Sequence, residues 1–184
     1  MKYVMLLVVL LLFIATPAIA QQKISPIERL QMLYNQQQTT YTPEKLADVS
    51  IRCPESQKKL LVLQRQNNLF VQKRISVYGD LQKEMKALEL RLAKQGADAS
   101  ELDLLIGKQQ VALEAFQDSQ KSYDILISDL RSINCAENPG FFLAGISEIY
   151  KQQQKLKETA NAVFVILYDS TKTTFYPLSE RLRI

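Results

Sequence analysis

The feature that most restricts this chain is a periodic apolar stripe that runs through 54–132 and is interrupted once. Leu60, Gln64, Asn67, Val71, Arg74, Tyr78, Leu81, Met85, Leu88 and Leu92 alternate four and three residues apart. That spacing returns to one face of a helix. Leu102, Ile106, Gln109, Leu113, Phe116, Gln120, Tyr123, Ile127 and Leu130 repeat it. Between the two runs stand a stop and a start. Gly96 suits the left-handed position after a helix end. Asp98 and Glu101 have the spacing of a capping box, with Asp in place of Ser or Thr. The stretch therefore predicts a helical hairpin with its tip at Gly96, Asp98 and Glu101, and a first arm roughly 60 Å long. Gln64, Asn67, Arg74, Gln109 and Gln120 break the stripe. Such residues either fix register and partner number or lie at its edge.

The arms differ in charge. Residues 54–95 carry nine Lys/Arg against four Asp/Glu, and 99–134 carry three against six. A basic helix beside an acidic one favours antiparallel pairing, by about 0–1 kcal/mol for each exposed pair. Leu61, Val62, Leu69 and Phe70 flank the first stripe, an arc wide enough for a helix touching two neighbours. Asn138-Pro139-Gly140 is a turn signal. Phe142, Ile146, Ile149, Gln153, Leu156, Ala160, Val163 and Leu167 follow with the same spacing. The predicted fold is all-α: an elongated antiparallel coiled-coil hairpin with a third long helix, an up-down-up three-helix bundle. Residues 163–168 are apolar on every side and fit either the end of that helix or a strand paired with 173–176. Pro177 should end the element. Gly79 and Gly107 weigh against unbroken arms, at about 1 kcal/mol each relative to Ala.

Ahead of the hairpin, 1–20 reads as a secretory signal. Lys2 precedes the apolar run 4–15, and Ala18 and Ala20 put small residues where a signal peptidase reads, with cleavage before Gln21. The competing reading is an uncleaved anchor, the one case in which membrane contact is expected. Residues 21–52 form a lead-in. Ser25-Pro26-Ile27-Glu28 opens a short helix, 36–40 is a linker, and Thr42-Pro43-Glu44 opens another helix. Residues 53–177 make the helical domain and 178–184 a tail. Without its leader the chain holds 22 Lys/Arg against 19 Asp/Glu, a mild balance that gives no ground for a specific nucleic-acid partner.

Cys53 and Cys135 are the only cysteines and bracket the hairpin. In an oxidising compartment they predict one disulfide; separate thiols or an intermolecular bridge are the alternatives. Cys53 lies 43 residues before Gly96, and Cys135 lies 37 after Asp98. Straight arms would leave them roughly 9 Å out of line, whereas a bridge needs Cα atoms within about 7 Å. The first arm must then start later than Pro54, or the chain near the cysteines must curl inward.

The chain has no histidine, which removes the commonest general base and metal ligand. No Walker loop, dinucleotide fingerprint or zinc spacing is present. Carboxylates one turn apart, such as Glu114 and Asp118, are expected to be solvated. No catalytic residue, cofactor or metal is assigned.

The tip Arg91-Leu92-Ala93-Lys94-Gln95-Gly96-Ala97-Asp98-Ala99-Ser100-Glu101-Leu102 resembles a pattern in uncharacterised exported coiled-coil proteins of candidate-phylum bacteria. That resemblance covers about half the chain and implies an exported helical bundle. The leader, basic balance and long hairpin are also similar to periplasmic holdase chaperones of the Skp/OmpH type. The expectation is a non-enzymatic, exported coiled-coil protein of the cell envelope. It would act as a structural, adaptor or protein-binding module, through a protein partner or self-association. A holdase for unfolded exported proteins is the alternative.

Overall fold

The computed structural model describes residues 24–37 and 40–170. They form four helices: α1 (Pro26–Gln37), α2 (Pro43–Lys94), α3 (Ser100–Ser132) and α4 (Pro139–Ser170). The described residues contain no strand, and 163–168 belong to α4. The leader with Ala18, Ala20 and Gln21, the stretch 173–176 and the tail 178–184 lie outside the described residues.

Local chemistry sets the helix starts. The Ser25 N–H donates to Glu28 Oε2 at 2.7 Å, and the Glu28 N–H donates to Ser25 Oγ at 3.3 Å, a reciprocal cap on α1. Thr42 Oγ1 accepts from the Lys45 N–H at the start of α2. Pro139 opens α4, where its missing N–H costs nothing.

Two expectations need correction. Residues 43–94 form one helix of 52 residues, so Pro54 lies inside it and begins nothing. An interior proline costs about 3 kcal/mol, and here the adjoining turn is tied to the rest of the fold. Cys53 is bonded to Cys135, with Cα atoms 5.8 Å apart. Gln57 Nε2, one turn on, donates to the carbonyls of Leu130 and Ile133 at 2.9 Å each. The wide arc on α2 is the second correction. α2 buries a narrow stripe that includes Leu60, Val71, Tyr78, Met85 and Leu92, and leaves Val62, Leu69 and Phe70 exposed. The reason is that α2 lies chiefly against α3 and less against α4. The helix between two main neighbours is α3, and it buries doublets such as Leu105-Ile106, Ala112-Leu113 and Leu126-Ile127.

The core falls into three clusters along the long helices. Tyr123, Ile127 and Leu130 of α3 meet Leu30 of α1, Leu60 of α2 and Phe142 of α4 in the first. Val71, Tyr78, Phe116 and Leu156 centre the second. Met85, Leu92, Leu102 and Ile106 make the third, beside the tip, where Ile166 and Leu167 of α4 also pack. From the first cluster to the third, numbering falls along α3 and rises along α2 and α4.

Between the first two clusters lies a polar layer. Asn67 Nδ2 donates to Gln120 Oε1 at 2.9 Å, and Gln120 Nε2 donates to Asp124 Oδ2 at 2.8 Å. Arg131 reaches Gln64 Oε1 at 3.0 Å. Nearer the tip, the fully buried Gln109 donates to the Tyr78 carbonyl at 3.1 Å. These side chains pair across α2 and α3 at fixed positions, as register-setting residues do. Arg74 is different: it lies half-exposed over the Phe70 ring, 4.2 Å from its centroid. The charge difference between the arms is not realised as ion pairs. Among the described residues, the pairs made by α2 join Arg52 to Asp48, Lys59 to Glu55 and Lys83 to Asp80, all within the helix.

Candidate protein-binding surface

The sequence singles out a tip and a pair of cysteines, and the structure sets them well apart along α2. At 1.5 Å per residue they stand roughly 60 Å from one another. At the tip, Gly96 has φ +69°. The Ala97 N–H donates to the Leu92 carbonyl at 3.0 Å and the Gly96 N–H to the Ala93 carbonyl at 3.1 Å. This is the Schellman closure that only a residue free to take positive φ completes without strain. The start of α3 differs from the expected box. Ala99 is the N-cap and has no side-chain cap bond, and Asp98 Oδ1 accepts from the Ser100 N–H at 2.9 Å. That backbone hydrogen bond holds the Asp98 carboxyl below its usual pKa. Glu101 is exposed in the first turn. All of this chemistry serves to turn the chain.

At the other end, Ser50, Cys53 and Gln57 share one face of α2. Ser50 Oγ donates to the Ala136 carbonyl at 3.0 Å, beside the Cys53–Cys135 bond. Gln57 satisfies carbonyls that the last turn of α3 leaves without helical partners. The misalignment expected of straight arms disappears because Cys135 lies beyond α3. Ile133 is extended, with ψ 151°, and Cys135 stands in the turn that follows Asn134. Extended chain advances about 3.3 Å per residue against about 1.5 Å in a helix, which recovers part of the offset. The turn then brings Cys135 in toward α2.

A third feature is not visible in the sequence. α1 closes this end of the molecule through a forked ion pair: Arg29 Nε donates to Asp129 Oδ2 at 2.6 Å and Nη2 to Oδ1 at 2.5 Å. Asp129 is buried and Arg29 about a third exposed. The hydrogen bond to Asp129 raises the Arg29 pKa further. The two residues are 100 positions apart and of common types, so no local pattern marks them. Beside them, a cleft of about 380 Å³ opens between Met32 and Leu33 of α1 and Ile125 and Leu126 of α3, with Glu148 and Gln152 of α4 at its edge. Its carboxylates are already engaged, Asp129 by Arg29 and Glu148 by Lys151 and Gln152. The described residues hold no cluster of three metal-ligating side chains, and none of their helices is long and apolar enough to cross a membrane.

Among the described residues, one surface without an internal use is the outer side of α2. Leu69 is 71% exposed, Phe70 54%, Val62 53% and Val77 49%. On the helix Val62 and Leu69 lie roughly opposite the buried stripe of Leu60, Val71 and Tyr78, and Phe70 and Val77 about a quarter turn from it. Lys58, Lys59 and Lys73 stand among them, also exposed. An apolar strip with a basic border, on the side of a helix away from its own core, is the form of a binding surface. No family model, curated protein or solved structure matches the chain.

Proposed function

We propose that this protein is a non-enzymatic, exported module of the cell envelope, a stiff helical adaptor that binds protein through the outer side of α2. Its architecture is read as an elongated antiparallel coiled-coil hairpin, α2 and α3, braced by α4 into an up-down-up bundle and closed at its base by α1. The observation that carries the reading is the exposed strip Val62, Leu69, Phe70 and Val77, on a helix whose other side is engaged in the core. Export is supported by the leader in the sequence and by the Cys53–Cys135 bond, which persists in oxidising compartments. Lack of histidine supports a non-enzymatic role.

The test is a photo-crosslinking residue at Val62 in the native host. The expected result is a discrete crosslinked protein species, lost when Leu69→Asp is added. Crosslinking that is absent, or indifferent to Leu69→Asp, would overturn the reading.

A holdase role draws on apolar side chains exposed on the other helices as well, Val111 and Leu104 on α3 and Phe164 on α4. It predicts suppression of client aggregation that survives loss of the α2 strip alone. The adaptor reading predicts no such suppression.

A further inference from the structure

We infer that the outer side of α2 pairs with the same side of a second copy of this chain, the two helices antiparallel about a two-fold axis between Leu69 and Phe70. This rests on the reading of that side as the binding surface, and it names the occupant.

This side of α2 is complementary to itself. Lys59, Val62, Gln66, Leu69, Phe70, Lys73, Val77 and Asp80 recur at helical spacing on the exposed side of α2. A two-fold interface brings each patch against itself in reverse. Around an axis between Leu69 and Phe70, Leu69 meets Phe70 of the second copy, and Val62 meets its Val77. Gln66 then meets Lys73, and Lys59 meets Asp80. Among these eight, apolar faces apolar, and the one pairing of two full charges, Lys59 with Asp80, joins opposite signs; beside them Lys58 comes opposite Leu81.

A parallel, in-register pair does the reverse. It would set Lys59 on Lys59, Lys73 on Lys73 and Asp80 on Asp80, and like charges directly opposed suppress a pairing. Lys59 and Asp80 already hold exposed partners in their own helix, Glu55 at 2.6 Å and Lys83 at 2.8 Å. Exposed pairs of this kind are weakly held and free to share their charges. At the outer limits of the antiparallel interface Glu55 faces Glu84, with Lys59 and Lys83 beside them, so the pairing ends there.

The size is also suitable. The exposed parts of Val62, Leu69, Phe70 and Val77 amount to on the order of 400 Å² per copy, and the lysine stems extend this toward the roughly 800 Å² per partner of a standard interface. A dimer of micromolar affinity is expected, one that forms at envelope concentrations and dissociates on dilution.

The experiment is the solution mass of the exported chain, by light scattering over a dilution series without reductant. A dimer is expected, dissociating in the micromolar range. Lys59→Glu alone and Asp80→Lys alone should each weaken it about tenfold or more, and the two together should restore it to within about threefold. Leu69→Asp should give a monomer with unchanged helicity. Mixing Gln66→Cys protein with Lys73→Cys protein should yield an oxidised crosslink that neither forms alone, since each residue meets the other and not itself. A monomer at every concentration, a dimer indifferent to Leu69→Asp, or charge reversals that do not compensate would overturn the pairing. If the chain is monomeric yet the Val62 crosslink to another envelope protein is still lost with Leu69→Asp, self-pairing fails and the adaptor reading stands.

Discussion

Replacing Gly145 by alanine sets two effects of similar size against each other. Inside a helix, alanine is favoured over glycine by about 1 kcal/mol. At Gly145 a Cβ would stand 2.5 Å from Leu130 Cδ2 and 2.8 Å from Leu30 Cδ2. Both leucines are 0% exposed and lie in the cluster where α1, α3 and α4 meet, so neither can swing into solvent. Overpacking of this kind costs about 1–3 kcal/mol, and it should outweigh the helical gain by about 1 kcal/mol. The melting temperature of Gly145→Ala is then expected roughly 2–4 °C below wild type. Gly79 and Gly107 provide the control. Both lie inside helices, and a Cβ at either meets nothing within 4 Å. Ala at each should raise stability by about 0.5–1 kcal/mol. Thermal unfolding followed by circular dichroism reads all three variants. A Gly145→Ala protein at least as stable as wild type would refute the claim that α1, α3 and α4 are packed to contact at this point.

Other perturbations test the remaining joints. Asp129→Ala should destabilise by about 2–3 kcal/mol in denaturant unfolding, less than the about 3–5 kcal/mol of a fully buried pair because Arg29 is partly exposed. A loss under about 0.5 kcal/mol would mean that α1 is held by apolar contact alone. Replacing both Cys53 and Cys135 by alanine removes a crosslink across 82 residues, and the chain-entropy model sets the loss in denaturant unfolding at about 4.5 kcal/mol. The Glu28 carboxyl is held below its ordinary pKa of 4.5, chiefly by the Ser25 N–H. A depressed carboxylate contributes stability above its unfolded pKa and loses it as pH falls through the folded value. Amide-exchange protection in α1 should therefore fall as pH drops below 4.5, and Glu28→Gln should flatten that dependence.

The parts of this fold legible in the sequence are those decided within a few residues. Ser25 and Glu28, Thr42 and Pro43, Gly96, and Pro139 mark their helix ends through local bonds, and the structure places the ends there. The stripe through Val71, Tyr78, Met85 and Leu92 is readable because burial repeats at helical spacing. Which helix takes the middle is not, because Leu61, Val62, Leu69 and Phe70 make α2 look as wide as α3. Apolar residues left exposed on a helix have the same pattern as apolar residues of a core. Pro54 misleads because the bonds that carry the helix through it, from Cys53 and Gln57, reach a segment about 80 positions away. Gly145, within the periodic run of α4, gives no sign in the sequence that two leucines from other helices close on it.

The clamp at the base, which takes Ser50 and Cys53 from one side of Pro54 and Gln57 from the other, requires α2 to be one continuous rod through Pro54. Spin labels carried by non-natural residues at Ala47 and Lys86, in labelled protein diluted with unlabelled, measure this directly by pulsed electron resonance. One helix over the 39 intervening steps predicts a single narrow distance distribution centred at about 58 Å. A broad distribution, or one centred well below that distance, would mean that the helix breaks and that the turns before Pro54 do not continue the rod that carries the strip.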